Sequence, residues 1–199
     1  MGGGQGYVLG GIGIQMTLEN VHPGGYFWKI ARGDRDQMLL RLATAGKRLV
    51  VVAHSTPEAE KYAERLTLSG LPVTLADGSE RSSALEAELQ NLTGTVVTTH
   101  DFAMSHGPIP ARVAVHLRPT CSLRPYARRL EAVPAAIHVT FVAPDEIARA
   151  DALLLSLRKE QGNSDVIDVT LEEVIDLTDS KAESVAEIAS SRRRFPLRP

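Results

Sequence analysis

The sequence predicts a three-layer α/β domain, a mostly parallel central sheet with helices on both faces. Three observations carry that expectation. Leu49-Val50-Val51-Val52-Ala53, Thr95-Val96-Val97-Thr98-Thr99 and Val113-Ala114-Val115-His116-Leu117 are short apolar or β-branched runs, as strands buried on both faces require. Between them lie segments of ten to fifteen residues with helical spacing of apolar positions, the pattern of right-handed crossovers between parallel strands. With 199 residues, 43% of them hydrophobic, the chain is long enough to bury a sizeable core.

Each element has a local reason. Met38 to Leu42 reads as the end of a helix stopped by Gly46. After the strand 49–53, Ser55 or Thr56 can cap a helix that has Pro57 at its start and acids in its first turn. Ala59, Tyr62, Ala63 and Leu66 follow at helical spacing, with Gly70 as the stop. Pro72 to Leu75 reads as a second strand, residues 82–92 as a helix with Leu85 and Leu89 four apart, and 95–99 and 113–117 as the third and fourth strands. A short basic helix is expected over 123–132 and a fifth strand over Ile137–Val142. Pro144 opens a last helix with Ile147, Ala150, Leu154 and Leu157 along one stripe. The loops past the carboxyl ends of the strands, 54–57, 76–82, 100–111, 118–123 and 143–145, are where such sheets place their sites.

Composition excludes several classes. A lone Cys121 offers no disulfide framework and no thiolate set for zinc, which predicts a reducing, cytoplasmic setting. No apolar run approaches the ~20 residues of a membrane span, and no membrane partner is expected. Net charge is only −2, but it is unevenly placed. Residues 1–14, with seven glycines, read as a flexible leader, and 15–160 as the near-neutral folded body. Residues 161–199 form an acidic, then basic, partly disordered tail. Its first part, 161–187, holds eight acids against Lys181, and 188–199 hold four arginines.

Loop 100–111 carries His100, Asp101 and His106, but there is no HExxH and no CxxC, so no metal is expected. Without a GxSxG elbow or a sequence partner for Cys121, no catalytic residue is assigned. Arg112, Arg118, Arg124, Arg128 and Arg129 fall within eighteen residues that hold no acid. Guanidinium groups at strand ends and on a facing helix can grip phosphates bidentately, or can simply pair with nearby acids on a solvated face.

The order of elements and their local sequences over about residues 15–160 resembles the second (C-terminal) RecA-like domain of superfamily 2 helicases, most closely the DEAD-box RNA helicases. Gln15 to Val21 stands where that family's interdomain linker enters. Leu49 to Ser55 with the Glu58–Leu66 helix is similar to its fourth motif, and Val73 to Gly78 to the strand and turn that follow. Val96 to Pro110 lies where its fifth motif reads A-T-D-x-x-x-R-G-x-D-I-P, and Tyr126 to Leu130 where its sixth reads Y-x-H-R-x-G-R-x-G-R. Val139 to Glu146 is close to its closing strand and helix start.

The resemblance implies a P-loop NTPase-type scaffold, with Asp101, Arg128 and Arg129 as vestigial nucleotide-binding residues. Thr99 and His100, with Arg112, Arg118 and Arg124 of the basic cluster, are expected at a nucleic-acid surface. The departures are equally specific: the fifth motif's arginine and second aspartate fall on Ser105 and Pro108, and the sixth motif's next glycine and arginine on Glu131 and Ala132. No GxxxxGK followed by Ser or Thr occurs, so nothing here cradles β/γ-phosphates. The expectation is a stand-alone, degenerate domain without autonomous ATPase activity and without a cofactor, ATP and Mg entering only with a separate first domain. It would bind single-stranded RNA, or DNA, as an accessory module. The alternatives are a protein-interaction factor using the old interdomain face and the acidic tail, and one half of a split helicase.

In the tail, Val166-Ile167-Asp168-Val169-Thr170 recurs eight residues later as Val174-Ile175-Asp176-Leu177-Thr178. Such apolar-acidic peptides can add a strand to a partner's sheet edge, and these resemble SUMO-interacting motifs. Tail 165–179 is therefore a candidate protein-binding segment. The other reading is an amphipathic helix over 171–178, with Leu171, Val174, Ile175 and Thr178 packed on the domain. Arg192-Arg193-Arg194 can touch nucleic acid or stay solvated.

Overall fold

The computed structural model describes residues 17–22, 25–45, 48–78, 85, 89 and 94–161. In chain order it contains β1 (Thr17–His22), β2 (Gly25–Lys29), α1 (Arg35–Ala45), β3 (Leu49–Ala53), α2 (Thr56–Leu68) and β4 (Val73–Ala76). Then come β5 (Thr95–Thr99), α3 (His100–His106), β6 (Ala111–His116), α4 (Leu123–Ala132) and β7 (Ala135–Val142). A 3-10 turn (Pro144–Glu146) leads into α5 (Ile147–Gln161). Among the described residues the sheet has seven strands in the order β1-β2-β7-β6-β3-β5-β4. Only β1 runs antiparallel to its neighbour; β2, β7, β6, β3, β5 and β4 are parallel.

Side chains alternate across a strand, and that alternation splits the core in two. Leu49, Val51, Ala53, Val97, Val113 and Val115 pack with Met38, Leu39, Ala59, Tyr62 and Leu66 of α1 and α2 on one face. Val50, Val52, Val96 and Ala114 pack with Leu89, Phe102 and Ala132 on the other. A third group, Phe27, Tyr126, Val142, Ala150, Leu153, Leu154 and Leu157, seats α5. The expected stripe on that helix therefore holds, with Leu153 added. Of the helix expected over 82–92, Leu85 and Leu89 are described, both helical.

Two expectations fail. Thr17 to Val21, expected where a linker enters, are instead part of β1, which pairs antiparallel with β2. β2 itself, Gly25-Tyr26-Phe27-Trp28-Lys29, had no assignment, although an aromatic run is a strand signal. It pairs parallel to β7, Gly25 opposite His138 and Lys29 opposite Val142. The segment 100–111 is not all loop either, because residues 100–106 form α3. Thr99, the last residue of β5, caps it: the Thr99 hydroxyl accepts from the Phe102 amide at 3.1 Å. Phe102 and Ala103 are its buried face. The leader 1–14 and the tail segments 165–179 and 192–194 lie outside the described residues.

Candidate functional site

Adjacent strands β3 and β5 are parallel in direct register. The chain leaves β3 for α2 on one face of the sheet and leaves β5 for α3 on the other. Loops diverging from neighbouring strands open a crevice at their carboxyl ends. A cleft of 390 Å³ lies there, lined by His54, Ser55, Thr56, Asp77, Gly78, Thr99, Asp101, Phe102 and Ser105. Gly78 turns the chain out of β4 with φ +93°, a conformation L side chains seldom adopt. The Thr98 hydroxyl donates to the Ala76 carbonyl at 2.6 Å and ties the ends of β4 and β5 together.

One carboxylate braces the rim. Glu58, in the first turn of α2, accepts from the His54 amide (2.9 Å) with one oxygen. The other oxygen accepts from Arg118 Nε and Nη2 at 3.1 and 3.0 Å. The Arg118 carbonyl in turn accepts from Arg129 Nη1 at 2.7 Å. The first turn of α2, the loop after β6 and α4 are thus one polar chain. Charge-assisted bonds of this kind contribute about 1.5–3 kcal/mol, and the third of Arg118 left in solvent reduces that. Glu58→Ala is expected to lower unfolding free energy by about 1–2 kcal/mol, measured by urea denaturation; an unchanged midpoint would contradict the bracing role.

The structure separates the arginines that the sequence groups together. Arg129 is buried and donates into the protein; burial pulls its pKa down, with Cys121 and Tyr126 opposing. Arg118 is engaged by Glu58. Arg124 and Arg128 are exposed on α4, whose first turn lies at the cleft edge of the sheet and which packs beside α3. Arg112 is elsewhere: it is the second residue of β6, and its amide donates to the Arg48 carbonyl, at the opposite edge of the sheet from the cleft.

Thr99 and Asp101 line the cleft, Asp101 from the exposed side of α3. His106 stacks on Phe102 at 4.9 Å; six residues from His100 along a helix, it faces another way. His54, Ser55, Asp77 and Ser105 join the site: His54 and Asp77 stood out in the sequence only by their strand-end loops, Ser55 as a helix-cap candidate and Ser105 as the place of the family's missing arginine. Glu58 was visible in the sequence only as an acid in a first turn.

Burial pulls the His100 imidazole below its usual pKa; Arg129 and His54 act in the same direction and Asp101 opposes. The unfolded chain titrates there near pH ~6.5, so below that value the folded form binds fewer protons. Stability from this group is complete above pH ~6.5 and is lost as pH falls towards the lower folded value. Between pH 7.5 and 5.5 the wild type is expected to lose more in urea midpoint than His100→Gln; equal losses would refute the assignment.

The parallel sheet, its two helical layers and the cleft at the strand ends make a doubly wound α/β fold of the RecA-like type. More particularly, the fold is that of the C-terminal RecA-like domain of DEAD-box helicases. The RNA helicase Prp28 from Chaetomium thermophilum bound to ADP matches with TM-score 0.59 and 16% identity, over 73% of this chain and 38% of that one. S. cerevisiae Dbp5 bound to RNA and ADP BeF3 matches with TM-score 0.59 and 14% identity, over 85% and 46%. The C-terminal domain of S. cerevisiae Dbp5 bound to Gle1 and IP6 matches with TM-score 0.53 and 13% identity, over 80% and 94%. The chain thus spans less than half of the first two proteins and nearly all of the isolated domain. No protein-family model matches the sequence, and no curated protein does.

Proposed function

We propose that this domain is a nucleic-acid-binding accessory module, taking single-stranded RNA in preference to DNA, that does not hydrolyse ATP by itself. The observation that carries the reading is the open polar cleft at the carboxyl ends of β3, β4 and β5, in a fold shared with a helicase solved on RNA. Asp77 and Asp101 line the cleft with acceptors, which suit hydroxyl and amino donors and repel phosphate. A ribose 2′-hydroxyl is such a donor, and DNA lacks it. The backbone phosphates then track the exposed Arg124 and Arg128 on α4, with Arg118 at the rim.

Two features support the absence of autonomous hydrolysis. Arg129, the residue matching the sixth motif's first arginine, is buried and bound to a backbone carbonyl. Ser105, Pro108, Glu131 and Ala132 stand where the family's motifs carry arginine, aspartate and glycine, and an arginine aimed at phosphate is worth about 10³–10⁵ in rate. ATP and Mg belong to this domain only in company with a separate first domain.

Fluorescence anisotropy with labelled single-stranded RNA at low salt tests the reading. Binding is expected in the micromolar range, with log K falling against log salt at a slope of about −1.5 to −2, from ~0.7 per phosphate for two to three contacts. No binding up to high micromolar protein refutes the nucleic-acid half. RNA-stimulated ATP turnover on mixing with a first RecA-like domain would replace this reading by the split helicase. A protein partner on the same domain is the second reading, favoured by the Dbp5 domain solved with Gle1.

A further inference from the structure

Among the described residues nine line the cleft at the ends of β3, β4 and β5, and none of the nine is a lysine or arginine. Asp77 and Asp101 bring carboxylates; the other polar side chains are hydroxyls and the His54 imidazole. Arg118, at the rim, is held by Glu58 through Nε and Nη2, and Arg129 donates to the Arg118 carbonyl. The first turn of α2 reaches the cleft at Ser55 and Thr56, yet it makes a poor phosphate cradle. Pro57 has no N–H to offer, and the Glu58 carboxylate, bonded to the His54 amide, lies at that turn. An anion placed in the cleft therefore meets two carboxylates and neither a guanidinium nor an ammonium group, and like charges at such range repel strongly. The backbone of an RNA strand poses that problem at every ribose except one. Each internal 2′-hydroxyl sits beside a phosphodiester on the neighbouring 3′-oxygen, whereas the 3′-terminal ribose carries two adjacent hydroxyls and no phosphate on that side.

We propose that the cleft takes the 3′-terminal ribose of single-stranded RNA, its free 2′,3′-diol donating to the carboxylates of Asp77 and Asp101. The inference rests on the reading of this cleft as the nucleic-acid site and fixes which part of the strand enters it. A carboxylate accepts hydroxyl hydrogens and has none to give, and hydrogen bonds to an ionised acceptor are the strong ones. The volume of 390 Å³ is near the lower end of ligand pockets, roughly 300–1,000 Å³, which suits one terminal nucleoside and not a run of nucleotides. The strand then leaves in its 5′ direction past α4, where Arg124 and Arg128 are exposed. Four residues apart on one helix, these two stand about 6 Å from each other along its axis and meet the phosphates that the cleft refuses. A 3′-terminal deoxyribose has only one of the two hydroxyls, so the same geometry ranks RNA ends above DNA ends.

The test titrates the full chain, by fluorescence anisotropy at low salt, with one internally labelled RNA of fixed sequence carrying different ends. A 3′-phosphate is expected to weaken binding about tenfold or more relative to the free diol, since it brings a charge beside two carboxylates. Replacing only the last ribose by deoxyribose should cost about fivefold, the loss of one partly solvated charge-assisted bond. The same phosphate moved to the 5′ end should change affinity less than about twofold, because total charge is then matched and the cleft is untouched. In Asp101→Asn, whose side chain is exposed on α3, the preference for the diol over the 3′-phosphate should fall to about threefold or less, chiefly because the phosphorylated strand binds better. Equal affinity for diol and 3′-phosphate RNA in the wild type overturns this inference and leaves nucleic-acid binding by the domain intact. A preference that survives unchanged in Asp101→Asn overturns it as well, by placing the discrimination outside the cleft. Absence of binding by every oligonucleotide overturns both this inference and the reading on which it rests.

Discussion

Glu146→Ala is expected to lower the unfolding free energy by about 3–5 kcal/mol, the cost of leaving a buried charge without its partner. Glu146 Oε2 accepts from Arg35 Nη2 at 2.6 Å and from the Ala143 amide at 2.9 Å. Both side chains are almost wholly buried, Arg35 at 2% and Glu146 at 6% exposure. The pair joins the start of α1 to the turn after β7, 111 residues on, and Arg32 repeats the link outside it with Asp145. Typical domains have only about 5–15 kcal/mol in total, so Glu146→Ala should leave a fraction of the chain unfolded at 37 °C. The double variant Arg35→Met/Glu146→Leu should recover most of the loss, because apolar groups of similar size remove the stranded charge. Urea midpoints of the wild type and the two variants check this; a cost below ~1 kcal/mol for Glu146→Ala would show the pair to be solvated.

Arg124→Glu/Arg128→Glu is expected to weaken single-stranded RNA binding about 100-fold at low salt, near tenfold for each charged contact. The folded domain should be unaffected, since both side chains are exposed. Arg112→Glu is the informative control. It lies at the amino-terminal end of β6, while Arg118 follows the carboxyl-terminal end, and six residues of strand span about 20 Å. Affinity should change less than twofold with Arg112→Glu. A large loss there, or none with the α4 pair, would move the binding surface away from the cleft.

That contrast shows what was legible beforehand. β3 and β5 were readable residue for residue, because a strand buried on both faces needs an unbroken apolar or β-branched run. α4 was readable to its ends. β2 was not: its partner β7 lies more than a hundred residues away, and a single aromatic cluster beside glycines does not announce a strand parallel to so distant a partner. α3 was hidden because it is seven residues long, is followed by Pro108 and Pro110, and borrows its cap from the last residue of a strand. The cleft loops were located by the rule for strand ends. The Glu58–Arg118–Arg129 chain was not, since its members lie 60 and 11 residues apart.

The sequence by itself determined the layered parallel sheet, the helix stops and the edge at which a site must lie. Those follow from side-chain periodicity and turn chemistry, which are properties of neighbouring residues. Only the tertiary structure decided which arginines remain available to a ligand. Whether a guanidinium faces solvent, a carboxylate or a carbonyl depends on groups brought beside it from distant parts of the chain, and five arginines close in sequence therefore have different surroundings.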